Sequence, residues 1–376
     1  MMRVPVVIMR GGTSKGVFLD YKDMPDDRSL WNDFLLDIMG SPDRRQIDGI
    51  GGANSLTSKA AIIRKSGLND IDVEYTFAQV SIDNQLVDFK GNCGNISSAV
   101  GPYAIQQGLV PAIEPITRVK ILNTNTQKVI IAEVEVENGR VKTDGLCSIP
   151  GVPGTGSPIY LSFTNAEGAV TGKLFPTGNP TDRIQTPNGD IDISIIDVAN
   201  PLVFVKAEDV GLNGSELPNE FTAEKLAELE EIRSIAAEMC QFSTKQEATK
   251  KSPAVPKMTI ISPPTTYKDV TGIERYGSDM DCTIRMMSMQ KPHQALAITG
   301  AICTTAGAFL KDTILSDVIS VEQDVIRLGH PAGIMETKVD LIAGHLNAIK
   351  VVRTARMIFE GYVYTKKDYH FSYMLA

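Results

Sequence analysis

The feature that most constrains the fold is a pattern that occurs twice, in which strand-like residues and a polar loop precede an apolar helix of small residues. The two copies are GNCGNISSAVGPYAI, residues 91–105, and QKPHQALAITGAIC, residues 290–303. Aligning Gly101 with Gly300 places Cys93 opposite Pro292 and His293. The pattern indicates two halves built alike, although a strand, a loop and a helix also form a common unit that can recur without duplication.

The length of the chain favours two domains. Its 376 residues exceed the size at which a single hydrophobic core usually stops growing, and two domains imply a cleft between them. Between Pro150 and Gly189 the chain is dense in Gly, Pro, Thr and Asn, so it cannot hold long regular elements there. We place the boundary near the end of this stretch, which predicts domains of residues 1–185 and 186–376, with the last strands able to cross back.

Strands outnumber helices in the pattern of apolar residues, which predicts an α+β fold. Helices are predicted at Ser29–Met39, at Ile96–Gln107, at Thr222–Met239 with Thr222 as N-cap, and from about His293 to Phe309. The β-like runs are residues 4–9, 60–64, 71–80, 118–122, 129–136, 257–261, 282–287, 334–341, 348–352 and 357–364.

Charge and composition exclude several classes of partner. The net charge of −8 disfavours nucleic acid and an acidic membrane surface. No apolar run approaches the roughly 20 residues of a membrane span, and the first residues lack a signal-peptide pattern, so we expect a cytoplasmic protein. The five cysteines never have CxxC spacing, and the four histidines are not clustered. We therefore expect neither a disulfide framework nor a metal site.

Cys93 is the first candidate for chemistry. It lies between Asn92 and Gly94, where the first apolar helix begins. Free backbone N–H groups and the helix dipole favour a thiolate or a bound carboxylate at such a position. The neighbouring Gly94 and Asn95 let the backbone approach a ligand closely. The competing interpretation is a cysteine that only fills space at a tight turn.

Lys59 is the second candidate. It ends the polar loop GGANSLTSK, directly after Ser58, and four apolar residues that predict a strand follow it. Burial among apolar neighbours lowers the pKa of a lysine from about 10.4 and makes the neutral amine available as a base. A surface lysine that extends its amine into water is the alternative.

The glycine-rich segment MRGGTSKG, residues 9–16, does not have the spacing of a phosphate-binding loop, so we reject a nucleotide site. A hairpin that presents the Ser14 hydroxyl and backbone amides to an anion fits this segment, as does a simple turn.

The second half offers further polar residues near its apolar helix. His293 lies at the predicted start of that helix, whose N-terminus would form a second anion site. Arg285 precedes it and would supply a cation for a substrate with a third carboxylate. The run GHPAG, residues 329–333, places His330 in a rigid loop, where a histidine is more often structural or solvated.

Taken in order, these motifs resemble the PrpF-like isomerases over nearly the whole chain. The matching segments are MRGGTSKGVF, GGANSLTSKAAI, GNCGNISSAVGPYAI, RMMSMQKPHQALAITGAIC and GHPAG. The resemblance implies the α+β fold of diaminopimelate epimerase, with two similar domains that each wrap a β-sheet around a central helix. It also implies a homo-oligomer, dimer or tetramer, that works without a cofactor.

The resemblance assigns roles to individual residues. It implies that Lys59 and Cys93 form the catalytic pair and that Ser14 lines the same pocket. We expect six further residues to bind the substrate: Ser58, Gly94, Asn95, His293, Arg285 and His330.

The resemblance also distinguishes an isomerase from a racemase. Diaminopimelate epimerases have a cysteine at the start of each central helix, because racemisation requires a base on one face of the carbon and an acid on the other. The second helix here begins KPHQAL, without a cysteine. We therefore expect a proton shift along an allylic system.

The expected substrate is a small unsaturated di- or tricarboxylate. (R)-3-methylitaconate, converted to 2,3-dimethylmaleate, is the first candidate, and 2-methylaconitate and 4-oxalomesaconate are the alternatives. Either Lys59 or Cys93 can be the base. A non-catalytic carboxylate-binding module is the alternative from another class.

Overall fold

The computed structural model describes residues 2–164, 166–321, 324–342 and 345–371. The chain forms two compact units. The first runs to Leu161 and also includes the segment from Val352 onward, whereas the second is Ser162–Val351. The domain boundary proposed at residue 185 stays a prediction and lies within the second unit. Among the described residues, no helix combines the length and apolar character needed to span a membrane.

Residues 2–164 contain nine strands and two α-helices. They are β1 (Arg3–Gly11), β2 (Ser14–Asp20), α1 (Trp31–Met39), β3 (Lys59–Lys65), β4 (Val73–Val80), β5 (Val87–Asp88), α2 (Gly94–Gln106), β6 (Ile116–Asn123), β7 (Lys128–Glu137), β8 (Arg140–Val141) and β9 (Ile159–Thr164).

The remaining part contains twelve strands and four α-helices among its described residues. They are β10 (Asp182–Thr186), β11 (Gly189–Val198), β12 (Asn200–Lys206), α3 (Ala223–Met239), α4 (Ala248–Lys251), β13 (Lys257–Ser262), β14 (Tyr267–Lys268), β15 (Glu274–Arg275), β16 (Cys282–Ser288), β17 (Lys291–Pro292), α5 (Ile298–Ala308), α6 (Ile314–Val318), β18 (Val325–His330), β19 (Gly333–Ile342), β20 (His345–Arg353) and β21 (Ala355–Tyr364).

The sheet of the first unit surrounds α2. β1 pairs antiparallel with β2 on one side and with β21 on the other. β2 also pairs parallel with β3, and β3 pairs antiparallel with β4. β4 then pairs with β6, and β6 with β7. Residues 94–105 of α2 are all buried, as expected for a helix that is apolar or small on every side. A Cβ on Gly101 would lie 3.0 Å from the Ala132 Cβ, so this glycine allows α2 to lie close to β7.

The second unit repeats this arrangement around α5, whose eleven residues are all buried. Its strands pair in the order β10, β11, β12, β13, β16, β18, β19 and β20. The helix α3 packs Leu229, Ile232 and Ala236 against the hydrophobic core of this unit. The predicted N-cap of α3 is confirmed, because the Thr222 side chain accepts a hydrogen bond from the Lys225 N–H.

The start of the second apolar helix differs from its prediction. The sequence placed it at His293, but α5 begins at Ile298. Lys291 and Pro292 instead form β17, which folds back on β16 through a turn in which Met289 and Gln290 have positive φ. A hairpin forms here in place of the predicted helical turn because it satisfies the backbone hydrogen bonds of this segment. The His293 N–H, for example, donates to the Met286 carbonyl. His293 is therefore not at the helix N-terminus.

Candidate active site

Lys59 is the first residue of β3 and is buried, with 5% of its surface exposed. The next four residues of the strand are also buried, which is the setting that its sequence predicted. Its amine donates a hydrogen bond to Gln79 Oε1 at 2.5 Å and lies 5.3 Å from the centre of the Phe77 ring. Burial lowers the pKa of Lys59 from its ordinary value of 10.5, and the nearby Cys93 opposes that shift through its charge and a hydrogen bond.

Cys93 is the N-cap residue of α2 and is half-buried. Its carbonyl accepts hydrogen bonds from the Ser97 N–H at 2.8 Å and from the Ser97 hydroxyl at 3.0 Å, so the helix begins directly after the thiol. Its side chain lies close enough to the Lys59 amine that its charge and hydrogen bonding counteract the lowering of the Lys59 pKa. The structure therefore brings the thiol and the buried amine together at a helix N-terminus, where backbone amides point outward.

The glycine-rich hairpin between β1 and β2 lies against the same helix end. Asn95 is buried, and its Oδ1 accepts a hydrogen bond from the Thr13 N–H at 3.2 Å. A Cβ on Gly11 would lie 2.3 Å from the Asn95 carbonyl oxygen, and one on Gly12 would lie 2.0 Å from Asn95 Oδ1. Only glycine fits at these two positions, which explains the GG pair of this motif.

The hairpin also contacts the loop before Lys59. The Lys15 N–H donates to the Leu56 carbonyl at 2.9 Å, and a Cβ on Gly16 would lie 2.9 Å from the Lys59 carbonyl oxygen. The three motifs in the first half of the sequence, around Ser14, Lys59 and Cys93, thus meet in one place.

Two hydroxyl groups on the hairpin are buried without a hydrogen-bond partner among the described residues. They belong to Thr13 and Ser14, and Ser14 is 2% exposed. An unpaired buried hydroxyl costs free energy, so a bound anion that accepts a hydrogen bond from it would recover that loss. These hydroxyls and the backbone amides of Gly94 and Asn95 form a group of donors suited to a carboxylate.

Ser58 is held by hydrogen bonds inside the protein, and its contact with the substrate stays a prediction. It is fully buried, its hydroxyl donates to the Val80 carbonyl at 3.0 Å, and it accepts a hydrogen bond from Gln46 Nε2 at 2.8 Å. Because the only proton of this hydroxyl is used inside the protein, the structure shows Ser58 supporting the loop that leads to Lys59.

The other three predicted residues lie in the second unit. Arg285 is buried on β16 and donates to the carbonyls of Glu216, Ile284 and Gly329. His293 accepts the Ala295 N–H at Nδ1, and His330 accepts the Ala332 N–H at Nδ1. These bonds hold each side chain in a fixed orientation, and the substrate contacts of all three residues stay predictions.

Two polar residues near the pair were not predicted from the sequence. Gln79 contacts the Lys59 amine, and Tyr75 lies fully buried four residues earlier on the same face of β4. Burial raises the pKa of Tyr75 well above its ordinary value, and the charge of Cys93 adds to the shift. The period-2 pattern of residues 73–80 was the available signal, because it places Val73, Tyr75, Phe77 and Gln79 on one face.

Comparison with known families and proteins gives a consistent result. The family model described as "PrpF protein" matches residues 1–366. The protein YraM of Bacillus subtilis (strain 168) is 59% identical over 98% of this chain and 99% of its own. The 3-methylitaconate isomerase of Eubacterium barkeri is 49% identical over 97% of this chain and 98% of its own.

Solved structures of other proteins share the fold of this chain. The crystal structure of a methylitaconate-delta-isomerase is similar with a TM-score of 0.79 and 48% identity, over 97% of this chain and 96% of that one. A probable proline racemase from Agrobacterium radiobacter K84 is similar in fold alone, with a TM-score of 0.54 and 13% identity, over 97% of this chain and 93% of its own. The predicted α+β fold of the epimerase type is confirmed.

Proposed function

The chain belongs to the PrpF family, and from this premise we propose that it is an isomerase that moves a proton and a double bond within 3-methylitaconate to give 2,3-dimethylmaleate. The relative from Eubacterium barkeri, named for its action on 3-methylitaconate, supports this choice of substrate at 49% identity. We further propose that the enzyme works without a cofactor, as a homo-oligomer in the cytoplasm.

The observation that carries the proposal is the contact between Lys59 and Cys93. A buried amine with a lowered pKa gives up its proton more readily than a surface lysine, and the Cys93 thiol is close enough to act on the pKa of this amine. One member of the pair removes the proton from the carbon next to a carboxylate. The electrons move across the three carbons, and the pair returns a proton to the terminal methylene carbon, which becomes a methyl group.

The intermediate of this shift carries extra negative charge, because the electrons of the broken C–H bond spread into the carboxylate. Preorganised donors lower the energy of such a charge more than water does. The N-terminus of α2 supplies backbone amides, and the unpaired hydroxyls of Thr13 and Ser14 supply two further donors. We propose that this group binds the carboxylate next to the reacting carbon.

The distribution of cysteines supports a proton shift in which the acid-base groups lie on one side of the substrate. The residues that lead into α5 are KPHQALA, without a cysteine. Cys303 lies within α5 and Cys282 on β16, and both are fully buried. Burial raises the pKa of both thiols, so each gives up its proton less readily than an ordinary thiol. Neither is suited to act as the second acid of a racemase.

Proton NMR in D₂O tests the proposal. The purified protein is incubated separately with 3-methylitaconate, 2-methylaconitate and 4-oxalomesaconate. Conversion of 3-methylitaconate, with deuterium entering the new methyl group, supports the proposed reaction. Conversion of only one of the other acids would assign a different substrate to the same site. The absence of exchange with all three would contradict the proposed activity and favour a carboxylate-binding module.

A further inference from the structure

Gln79 is joined to Lys59 by the register of the sheet. The two residues are directly opposite each other on β3 and β4, so their side chains leave the sheet on the same face. Both are buried, and both are 5% exposed. The hydrogen bond from the Lys59 amine to Gln79 Oε1 therefore lies away from water, where its geometry is well defined.

The orientation of the Gln79 amide is fixed by its other partners. Its nitrogen donates to the Ser55 carbonyl at 3.1 Å and to the Ser58 carbonyl at 3.0 Å. A carbonyl oxygen only accepts hydrogen bonds, so the NH₂ end of the amide must face these two residues. The oxygen end must then face Lys59. One side chain thus holds both the loop before the lysine and the lysine amine.

The acceptor that Gln79 offers is uncharged. A carboxylate in the same place would strongly favour the protonated amine, whereas an amide oxygen accepts a hydrogen bond from either protonation state. The titratable groups around this contact are Cys93 at the start of α2, Tyr75 on β4 and Asp88 on β5. Asp88 is paired with Gln79 across β4 and β5, and its Oδ1 accepts the Lys90 N–H.

We propose that Gln79 is a positioning residue of the isomerase, which fixes the Lys59 amine beside Cys93 through a neutral acceptor and so leaves the amine able to exchange its proton during the reaction. The role in turnover rests on the proposed function. The effect of Gln79 on the protonation of Lys59 does not, because it can be measured without substrate.

Two substitutions change the acceptor in opposite ways. Gln79→Met has nearly the same shape but removes the acceptor oxygen, so the protonated amine loses a stabilising partner. Gln79→Glu offers a carboxylate, so the protonated amine gains one. Gln46→Met is the matched control, because Gln46 is also a buried glutamine that supports this loop, through Ser58 Oγ and the Ala53 N–H, without contacting the lysine amine.

The measurement is the rate at which acetic anhydride, which reacts with neutral amines, labels Lys59 across a pH series, read by mass spectrometry of the Lys59 peptide. We expect Gln79→Met to label faster than the wild type and Gln79→Glu about tenfold more slowly at a given pH, with Gln46→Met at the wild-type rate. We expect kcat to fall about 100-fold in Gln79→Met, because a displaced catalytic group loses its alignment.

Faster labelling of Lys59 in Gln79→Met together with slower labelling in Gln79→Glu supports the proposal. A mere loosening of the loop before Lys59 would instead raise the labelling rate in both variants. Wild-type labelling of Lys59 in both Gln79 variants would overturn it, as would a change in Gln46→Met equal to that in Gln79→Met. If the wild type converts none of the three acids but the labelling rates separate as expected, the proposed function fails while the effect of Gln79 on Lys59 stands.

Discussion

Gly12 and Asn95 are in direct contact, at a distance that leaves no room for a side chain on the glycine. A Cβ on Gly12 would lie 2.0 Å from Asn95 Oδ1, the atom that accepts the Thr13 N–H. Gly12 also has φ of +51°, a conformation that residues with a side chain seldom adopt. This contact holds the two unpaired hydroxyls of the hairpin next to the N-terminus of α2.

Gly12→Ala is expected to displace the hairpin from α2 and lower turnover sharply. Gly139→Ala is the matched control, because Gly139 has φ of +70° and nothing lies within 4 Å of its Cβ position. Both substitutions place alanine at positive φ, but only the first also creates a steric clash. We expect urea unfolding to show an additional loss of about 1–3 kcal/mol in Gly12→Ala. Equal losses would show that the contact with Asn95 is unimportant.

Lys59→Met and Cys93→Ser are each expected to lower kcat by about 10²- to 10⁴-fold, because each removes a positioned acid-base group. Cys240→Ser is the control for the loss of a half-buried thiol. Burial raises the pKa of Cys240 to about 12, and this residue lies at the end of α3 in the second unit. We expect Cys240→Ser to retain wild-type turnover. A folded Lys59 or Cys93 variant with a normal rate would remove that residue from the mechanism.

The lowered pKa of Lys59 predicts how stability depends on pH. The unfolded chain keeps this lysine protonated up to its ordinary pKa of 10.5, whereas the folded protein releases the proton at lower pH. Between these two values the unfolded state binds more protons, so the contribution of Lys59 to stability rises with pH. Below the folded-state pKa the full cost of the buried charge is present.

Lys59→Met removes that cost, so we expect it to be more stable than the wild type at neutral pH. The difference should shrink as the pH approaches 10.5. Urea unfolding of both proteins across this range measures it. A difference that stays constant with pH would indicate that the folded-state pKa of Lys59 is not lowered.

A buried ion pair predicts a stability effect in the second unit. The guanidinium of Arg233 is 2% exposed and donates two hydrogen bonds of 2.6 Å to the Glu230 carboxylate. Glu230→Gln leaves the buried guanidinium without its counter-charge, and we expect it to lower the free energy of unfolding by about 3 kcal/mol. Glu133→Gln breaks an exposed pair with Arg118 and should cost less than about 1 kcal/mol. Thermal and urea unfolding compare the two.

The motifs around Ser14, Lys59 and Cys93 could be found from the sequence because their chemistry is local. A glycine pair, a lysine before an apolar run and a cysteine before an apolar helix can each be recognised within a few residues. The N-cap of α3 was predictable for the same reason, since Thr222 bonds to a backbone amide three residues away.

The contact between Lys59 and Gln79 could not be found in this way. It depends on the register of β3 against β4, which is set by the packing of the whole sheet. The start of α5 was predicted incorrectly for a related reason. The apolar pattern from His293 onward suits a helix, but the pairing of β17 with β16 determines the backbone there.

The pairing of β1 with both β2 and β21 has a consequence for synthesis on the ribosome. The nascent chain contains β1 and β2 long before it contains β21, so one edge of β1 has no partner until residues 355–364 have emerged. The second unit is continuous in sequence and can be completed earlier. Until β21 has been translated, the first unit therefore exposes a strand edge that can pair with other chains, and premature termination before β21 makes that exposure permanent.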